Sequence, residues 1–133
     1  MNPDDFKQRT RAFALRVIRL VKALPKSTVG SVIGRQLLRC GTSVGANYRA
    51  ACRARSRADF VAKMKIVEEE CDESLYWIEL LKESGEIEPA RLEDLMKEAE
   101  TILSLVVASI KTARSRKETQ SSIVNRQPSI ARG

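Results

Sequence analysis

Gln36-Leu-Leu-Arg-Cys-Gly-Thr-Ser-Val-Gly-Ala-Asn-Tyr-Arg-Ala-Ala51 carries a helical apolar pattern, yet glycine precedes it at position 34 and interrupts it at 41 and 45. A glycine inside a helix costs about 1 kcal/mol relative to alanine. A helix that accepts Gly34, Gly41 and Gly45 needs its backbone close to something. At 100° per residue the three fall within about 40° of one another, so they form one bare stripe. The stripe is a packing seam, either against a neighbouring helix of the same chain or against another subunit. Its "small-xxx-small" spacing at Gly41-Thr-Ser-Val-Gly45 lacks the Gly-Lys-Ser/Thr ending of a phosphate loop.

The flanking sequence repeats the helical signal three more times. Phe6, Thr10, Phe13, Val17, Leu20 and Leu24 step by 4, 3, 4, 3, 4, as a bundle seam does. Pro25 closes that helix. Ser27 or Thr28 caps the next, whose seam is Ile33, Leu37, Cys40, Val44, Asn47 and Ala51 and whose end is expected near Arg55. Ser56-Arg-Ala-Asp59 reads as a capping box opening a helix to about Glu83, with seam Phe60, Met64, Val67, Cys71, Ser74, Ile78 and Leu81. Ser84-Gly85 is a C-cap signal, and Pro89 suits the first turn of the last helix. That helix has the seam Leu92, Met96, Ala99, Leu103, Val106, Ile110 and Ala113. Nothing alternates as a strand does. The expectation is an all-α, antiparallel, up-down-up-down four-helix bundle over residues 1–117, with a disordered polar and basic tail over 118–133.

Composition narrows the function. The chain has 133 residues, enough for one core, and no apolar run near the ~20 residues that span a bilayer. The acidic opening Met-Asn-Pro-Asp-Asp-Phe6 lacks a signal-peptide apolar region, so the cytoplasm is the expected compartment. Cys40, Cys52 and Cys71 have no metal-type spacing and read as reduced, mostly buried thiols. There is no histidine, which removes the usual general base and the Ser-His and Cys-His arrangements. Neither an enzymatic activity nor a metal or other cofactor is expected.

Two groups of polar residues stand out. Gln36 and Arg39 fall level with Glu70 and Glu73 of an antiparallel neighbour, and Asn47 lies on the same apolar stripe. Together they suggest a structural polar layer that fixes register. The second group is cationic. Residues 1–58 hold 13 Lys/Arg against 2 Asp/Glu, residues 59–100 hold 5 against 14, and residues 101–133 hold 6 against 1. Arg9, Arg16, Arg19, Lys22 and Lys26 run along the first helix, and Arg49, Arg53, Arg55 and Arg57 cluster at the end of the second. They are candidates for phosphate contact; the alternative is a solvated face with ion pairs to the acidic third helix. With little aromatic interleaving, contact to backbone and shape is indicated rather than base stacking.

Gln36-Leu-Leu-Arg39, Thr42-Ser-Val-Gly-Ala-Asn-Tyr-Arg49, Ser56, Asp59-Phe60, Lys63, Glu70, Glu73 and Tyr76-Trp77 resemble the bacterial "four helix bundle protein" family. That family includes proteins encoded in intervening sequences of 23S rRNA genes, once labelled S23 ribosomal proteins. It is related to the accessory variability protein of diversity-generating retroelements. The resemblance covers residues 6–115 and is carried most specifically by the second helix. The chain departs from the pattern at Ala50 (commonly Glu), Cys40-Gly41 (commonly Ser-Ala) and Cys71 (commonly Ala).

The resemblance implies a homopentameric assembly, a basic surface that contacts nucleic acid, and, in the retroelement relatives, a reverse transcriptase partner. The expected function is therefore a non-catalytic, oligomeric accessory protein that binds nucleic acid, RNA foremost. The alternative is an interaction scaffold whose basic helices serve only subunit or partner contacts. No membrane partner is expected.

Overall fold

The computed structural model describes the backbone of residues 1–126 and the side chains of residues 1–116. The chain forms four helices and, among the described residues, no strand: α1 (Pro3–Ala23), α2 (Thr28–Ala51), α3 (Arg57–Ser84) and α4 (Pro89–Arg126). Each start has a local cause. Asn2 Oδ1 accepts from the Asp4 and Asp5 amides at 2.9 and 3.4 Å and caps α1. Ser27 Oγ accepts from Gly30 N at 2.9 Å, and Ser56 Oγ from Asp59 N at 3.0 Å. The return bond of the expected capping box goes one residue further back: Asp59 Oδ2 accepts from Arg55 N at 3.1 Å. Gly85 ends α3 at φ 77°, a left-handed conformation that suits glycine.

Two helix ends differ from expectation. α2 stops at Ala51 rather than Arg55 because its last turn tightens: Arg53 N and Ala54 N donate to carbonyls three residues back, at 3.1 and 3.0 Å. The expected tail boundary after Lys117 is also displaced, since α4 continues to Arg126. No glycine or proline interrupts 118–126, and the first breaker is Pro128. The remainder of the expected tail, 127–133, lies outside the described residues.

Cross-helix contacts make every sequential pair antiparallel. Gly34 faces Val21 of α1 and Leu24 just after it, while Gly45 faces Thr10. Ser27 reaches Glu86, while Arg39 reaches Glu73. Lys82 meets Glu93, while Cys71 Sγ–H donates to the Ala99 carbonyl at 3.3 Å. α1 and α4 close the ring with the sparsest packing of the four interfaces.

The core follows the seams. Phe6, Phe13, Val17, Leu37, Val44, Met64, Val67, Ile78, Leu81, Leu92, Ile102 and Val106 are fully buried. Three seam members are replaced. In α4, Leu95 and Ile102 are buried where Met96 and Leu103 were expected, and those two are only partly buried against the core. Tyr48, not Asn47, enters the core, where its ring meets Phe6 edge-on at 4.6 Å between centroids. Asn47 sits half-buried and donates from Nδ2 to the Ser43 carbonyl of its own helix at 2.9 Å. Burial pushes the Tyr48 hydroxyl well above the usual tyrosine range, with Cys52 adding to the shift.

The glycine stripe has its partner inside the chain. A Cβ at Gly41 would lie 2.9 Å from both methyls of Val17, and one at Gly45 would lie 3.1 Å from Thr10 Oγ1. The stripe thus lets α1 approach α2 closely within one chain.

Candidate nucleic-acid interface

The expected polar layer is a surface cluster. Arg39 Nη1 donates to Glu70 Oε2 at 3.3 Å, Arg39 Nη2 also pairs with Glu73 Oε2, and Arg39 Nε donates to Gln36 Oε1 at 3.2 Å. Trp77 Nε1 donates to the same Glu73 oxygen at 3.1 Å. The Arg39 side chain remains 49% exposed, with Glu70 at 19% and Glu73 at 35%, so the cluster bridges the rim of α2 and α3 rather than the core. Asn47 takes no part, because it stands about 12 Å further along the helix axis than Arg39 at 1.5 Å per residue. The buried polar contact at this level is instead Ser74, whose Oγ donates to the Glu70 carbonyl at 2.8 Å and lies 3.3 Å from Cys40 Sγ.

The nine cations singled out in the sequence do not share one surface. Arg9 is occupied: its Nε and Nη2 donate to the two Glu98 oxygens at 2.8 and 2.9 Å, a bidentate pair tying α1 to α4. This hydrogen bond holds the Arg9 guanidinium even more firmly protonated than usual. Lys22 and Lys26 belong to the end of the bundle where α1 finishes and α2 begins. Residues 20–30 and 82–94 at that end carry four Lys/Arg against five Asp/Glu. Arg16 and Arg19 lie toward that same end, where with Leu20, Arg91 and Leu95 they line a cleft of about 230 Å³ between the last turns of α1 and the first turns of α4.

The opposite end is different. The antiparallel order brings the finish of α2, the start of α3 and the later part of α4 together. Arg49, Arg53, Arg55 and Arg57 are joined there by Lys111, Arg114 and Arg116, while only Asp4, Asp5 and Asp59 in 1–6, 49–60 and 108–116 are acidic. Asp59 is committed to Lys63 Nζ at 2.7 Å, and that contact, with the Arg55 amide, holds its carboxyl below the usual range. None of these seven cations is in an ion pair within 4 Å among the described residues. The charge continues sideways. Lys7, Arg11 and Arg49 line a groove of about 500 Å³ between α1 and α2, with Thr42, Gly45 and Ala46 among its other lining residues.

Sequence reasoning missed Lys7, Arg11, Lys111, Arg114 and Arg116 as members of this surface. Only the fold shows that they lie toward the same end of the bundle as Arg53 and Arg55. One more cavity opens at this end, of about 490 Å³, lined by Met1, Tyr48, Arg57, Phe60, Leu105, Ala108, Ser109, Thr112, Ala113 and Arg116. Among the described residues no three or more of His, Cys, Asp and Glu come together as a metal site would need, and no helix is long and apolar enough to cross a membrane.

The comparisons with known proteins fit this architecture. A crystal structure of a protein with unknown function from the S23 ribosomal protein family, from Bacteroides thetaiotaomicron VPI-5482, superposes with a TM-score of 0.77 at 37% identity. It covers 84% of this chain and 99% of that chain. No curated protein matches the chain. The family model of the 23S rRNA-intervening sequence protein matches residues 4–108, which takes in α1, α2, α3 and half of α4. The chain belongs to the 23S rRNA-intervening sequence protein family.

Proposed function

We propose that the protein is a non-catalytic, oligomeric accessory protein that binds RNA through the basic end of its bundle. The observation that carries this reading is the convergence of Arg49, Arg53, Arg55, Arg57, Lys111, Arg114 and Arg116 on one end, without ion-pair partners among the described residues. Guanidinium groups suit phosphate because they donate in a planar fork. The contact is to backbone and shape, with sequence readout secondary. Cytoplasmic residence accords with an RNA partner.

If all seven cations neutralise phosphates, log K against log salt has a slope of about −5 to −6. Filter binding to structured RNA at several salt concentrations measures it. Replacing Arg53 and Arg55 by Gln should flatten the slope by about one unit each. Absence of binding at low salt, or a salt-independent affinity, refutes the reading.

The proposal extends to assembly. Leu15, Val29, Val32 and Leu38 on α1 and α2 are each more than a third exposed, which favours self-association into the homopentamer that the family resemblance implies. Light scattering tests this, and a monomer at micromolar concentration refutes it. The same apolar residues favour the second reading, an interaction scaffold, which predicts an oligomer with no RNA affinity. A reverse transcriptase is the protein partner proposed for a retroelement setting. Co-purification with an enzyme encoded next to this gene tests that, and its absence there removes the retroelement role.

A further inference from the structure

Arg57 opens α3, and its Nη1 is enclosed by protein with no hydrogen-bond partner among the described residues. A buried cationic donor without an acceptor is costly, because water has been removed and nothing replaces it. The other donors of the same fork can be satisfied at the surface, but Nη1 cannot. Arg57 also lines the 490 Å³ cavity at the basic end. The volume lies within the ~300–1,000 Å³ range of small-molecule sites and exceeds what a bare ion requires. The lining has two characters. Phe60, Leu105, Ala108 and Ala113 are apolar, whereas Arg57, Arg116, Ser109 and Thr112 offer two guanidinium groups and two hydroxyls. Among the described residues no carboxylate lines the cavity. The chemistry that matches is an anionic head on a body with an apolar face.

We infer that this cavity holds the terminal nucleotide of an RNA chain, its phosphate monoester on Arg57 and Arg116 and its base against Phe60 and Leu105. The inference rests on the RNA-binding reading for the choice of anion. It deepens that reading by assigning recognition of a chain end to one place on the basic surface. A terminal phosphate monoester carries more charge than an internal diester and presents three oxygens to the paired guanidinium forks. Duplex interiors expose no such group, so the cavity distinguishes ends from the backbone that Arg53 and Arg55 contact.

The test compares one short single-stranded RNA carrying a 5′-phosphate, a 3′-phosphate or neither, by fluorescence anisotropy at fixed salt. Adenosine monophosphate is titrated alone by calorimetry. One of the two terminal phosphates should tighten binding about tenfold, the size expected for a desolvated charge-assisted contact. Arg57→Met should abolish that preference while circular dichroism shows helix content unchanged, and Arg57→Lys should recover part of it. If Arg57→Met fails to fold, Thr112→Val tests the same cavity from α4 and should also reduce the preference. Mononucleotide binding lost in Arg57→Met supports the cavity even without RNA affinity. Equal affinity for all three RNAs, with salt-dependent binding intact, overturns the cavity and leaves the basic end standing. No mononucleotide binding together with no RNA binding overturns both.

Discussion

Replacing Gly41 by alanine sets two known effects against each other. Alanine gains about 1 kcal/mol of helix propensity over glycine. Its Cβ, however, would lie 2.9 Å from both Val17 methyls and 3.3 Å from Val17 Cβ. Ordinary carbon–carbon contact is about 3.5–4.0 Å, so α1 must retreat by roughly half an ångström or more. Overpacking of this kind costs about 1–3 kcal/mol. Val17 is fully buried and β-branched, so it has no second rotamer to escape into. The expected net result is a loss of about 1 kcal/mol.

The same comparison ranks the stripe. At Gly45 the obstacle is Thr10 Oγ1 at 3.1 Å, held by the Phe6 and Lys7 carbonyls, and the two effects should nearly cancel. At Gly34 it is the tip of Leu24 at 3.0 Å, a flexible side chain beyond the last turn of α1, so alanine should stabilise. Urea unfolding followed by circular dichroism and Trp77 fluorescence, at one protein concentration, measures all three. In a Val17→Ala background, Gly41→Ala should become stabilising by about 1 kcal/mol, the signature of direct coupling. A gain from Gly41→Ala alone would refute the reasoning. So would a fall in oligomer mass at unchanged stability, because that would put the stripe between subunits.

Three further outcomes follow from named contacts. Arg9→Ala should lower stability by at most about 1 kcal/mol, since its pair with Glu98 is partly exposed, and high salt should shrink the effect; RNA affinity should change less than with Arg53→Ala, measured by filter binding. Asp59 has its pKa depressed by Lys63 and the Arg55 amide, so its contribution is present above the ordinary aspartate value of 3.8 and is lost as pH falls through the lower folded value. Acid unfolding of Asp59→Asn should lack that component. Cys52 is exposed while Cys40 and Cys71 are buried, and burial, with Asp72 adding, pushes the Cys71 thiol up to about 12. Iodoacetamide at neutral pH should therefore label one cysteine in the native protein and three in urea, counted by mass spectrometry.

Much of the fold was legible because its signals are local. The 4, 3, 4 steps of Phe6 to Leu20 and Met64 to Leu81 report one helix face each, and Ser27, Ser56, Gly85 and Pro89 mark ends through atoms two to four residues away. What failed needed distant partners. Asn47 and Tyr48 are adjacent and both border the stripe; the aromatic cluster with Phe6, remote in sequence, decides which one enters. Arg9 looked like a free cation because Glu98 lies on the last helix. The polar cluster of Arg39, Glu70 and Glu73 was paired correctly, since antiparallel register follows from the connection length, but its depth depends on how the helices rotate. The cationic surface was read as separate groups on the first two helices, whereas the bundle assembles it from all four.

The sparse closure between α1 and α4 has a kinetic consequence. The more closely packed helices are consecutive in the chain, so most of the contacts form with short loops and little entropic delay. On a ribosome, α1 can dock along the bare side of α2 before α3 has emerged. The α1–α4 contact spans nearly the whole bundle and has to come last. Substitutions at Glu98 should consequently speed unfolding while leaving the folding rate unchanged, and a slowed folding limb in stopped-flow refolding would contradict that order.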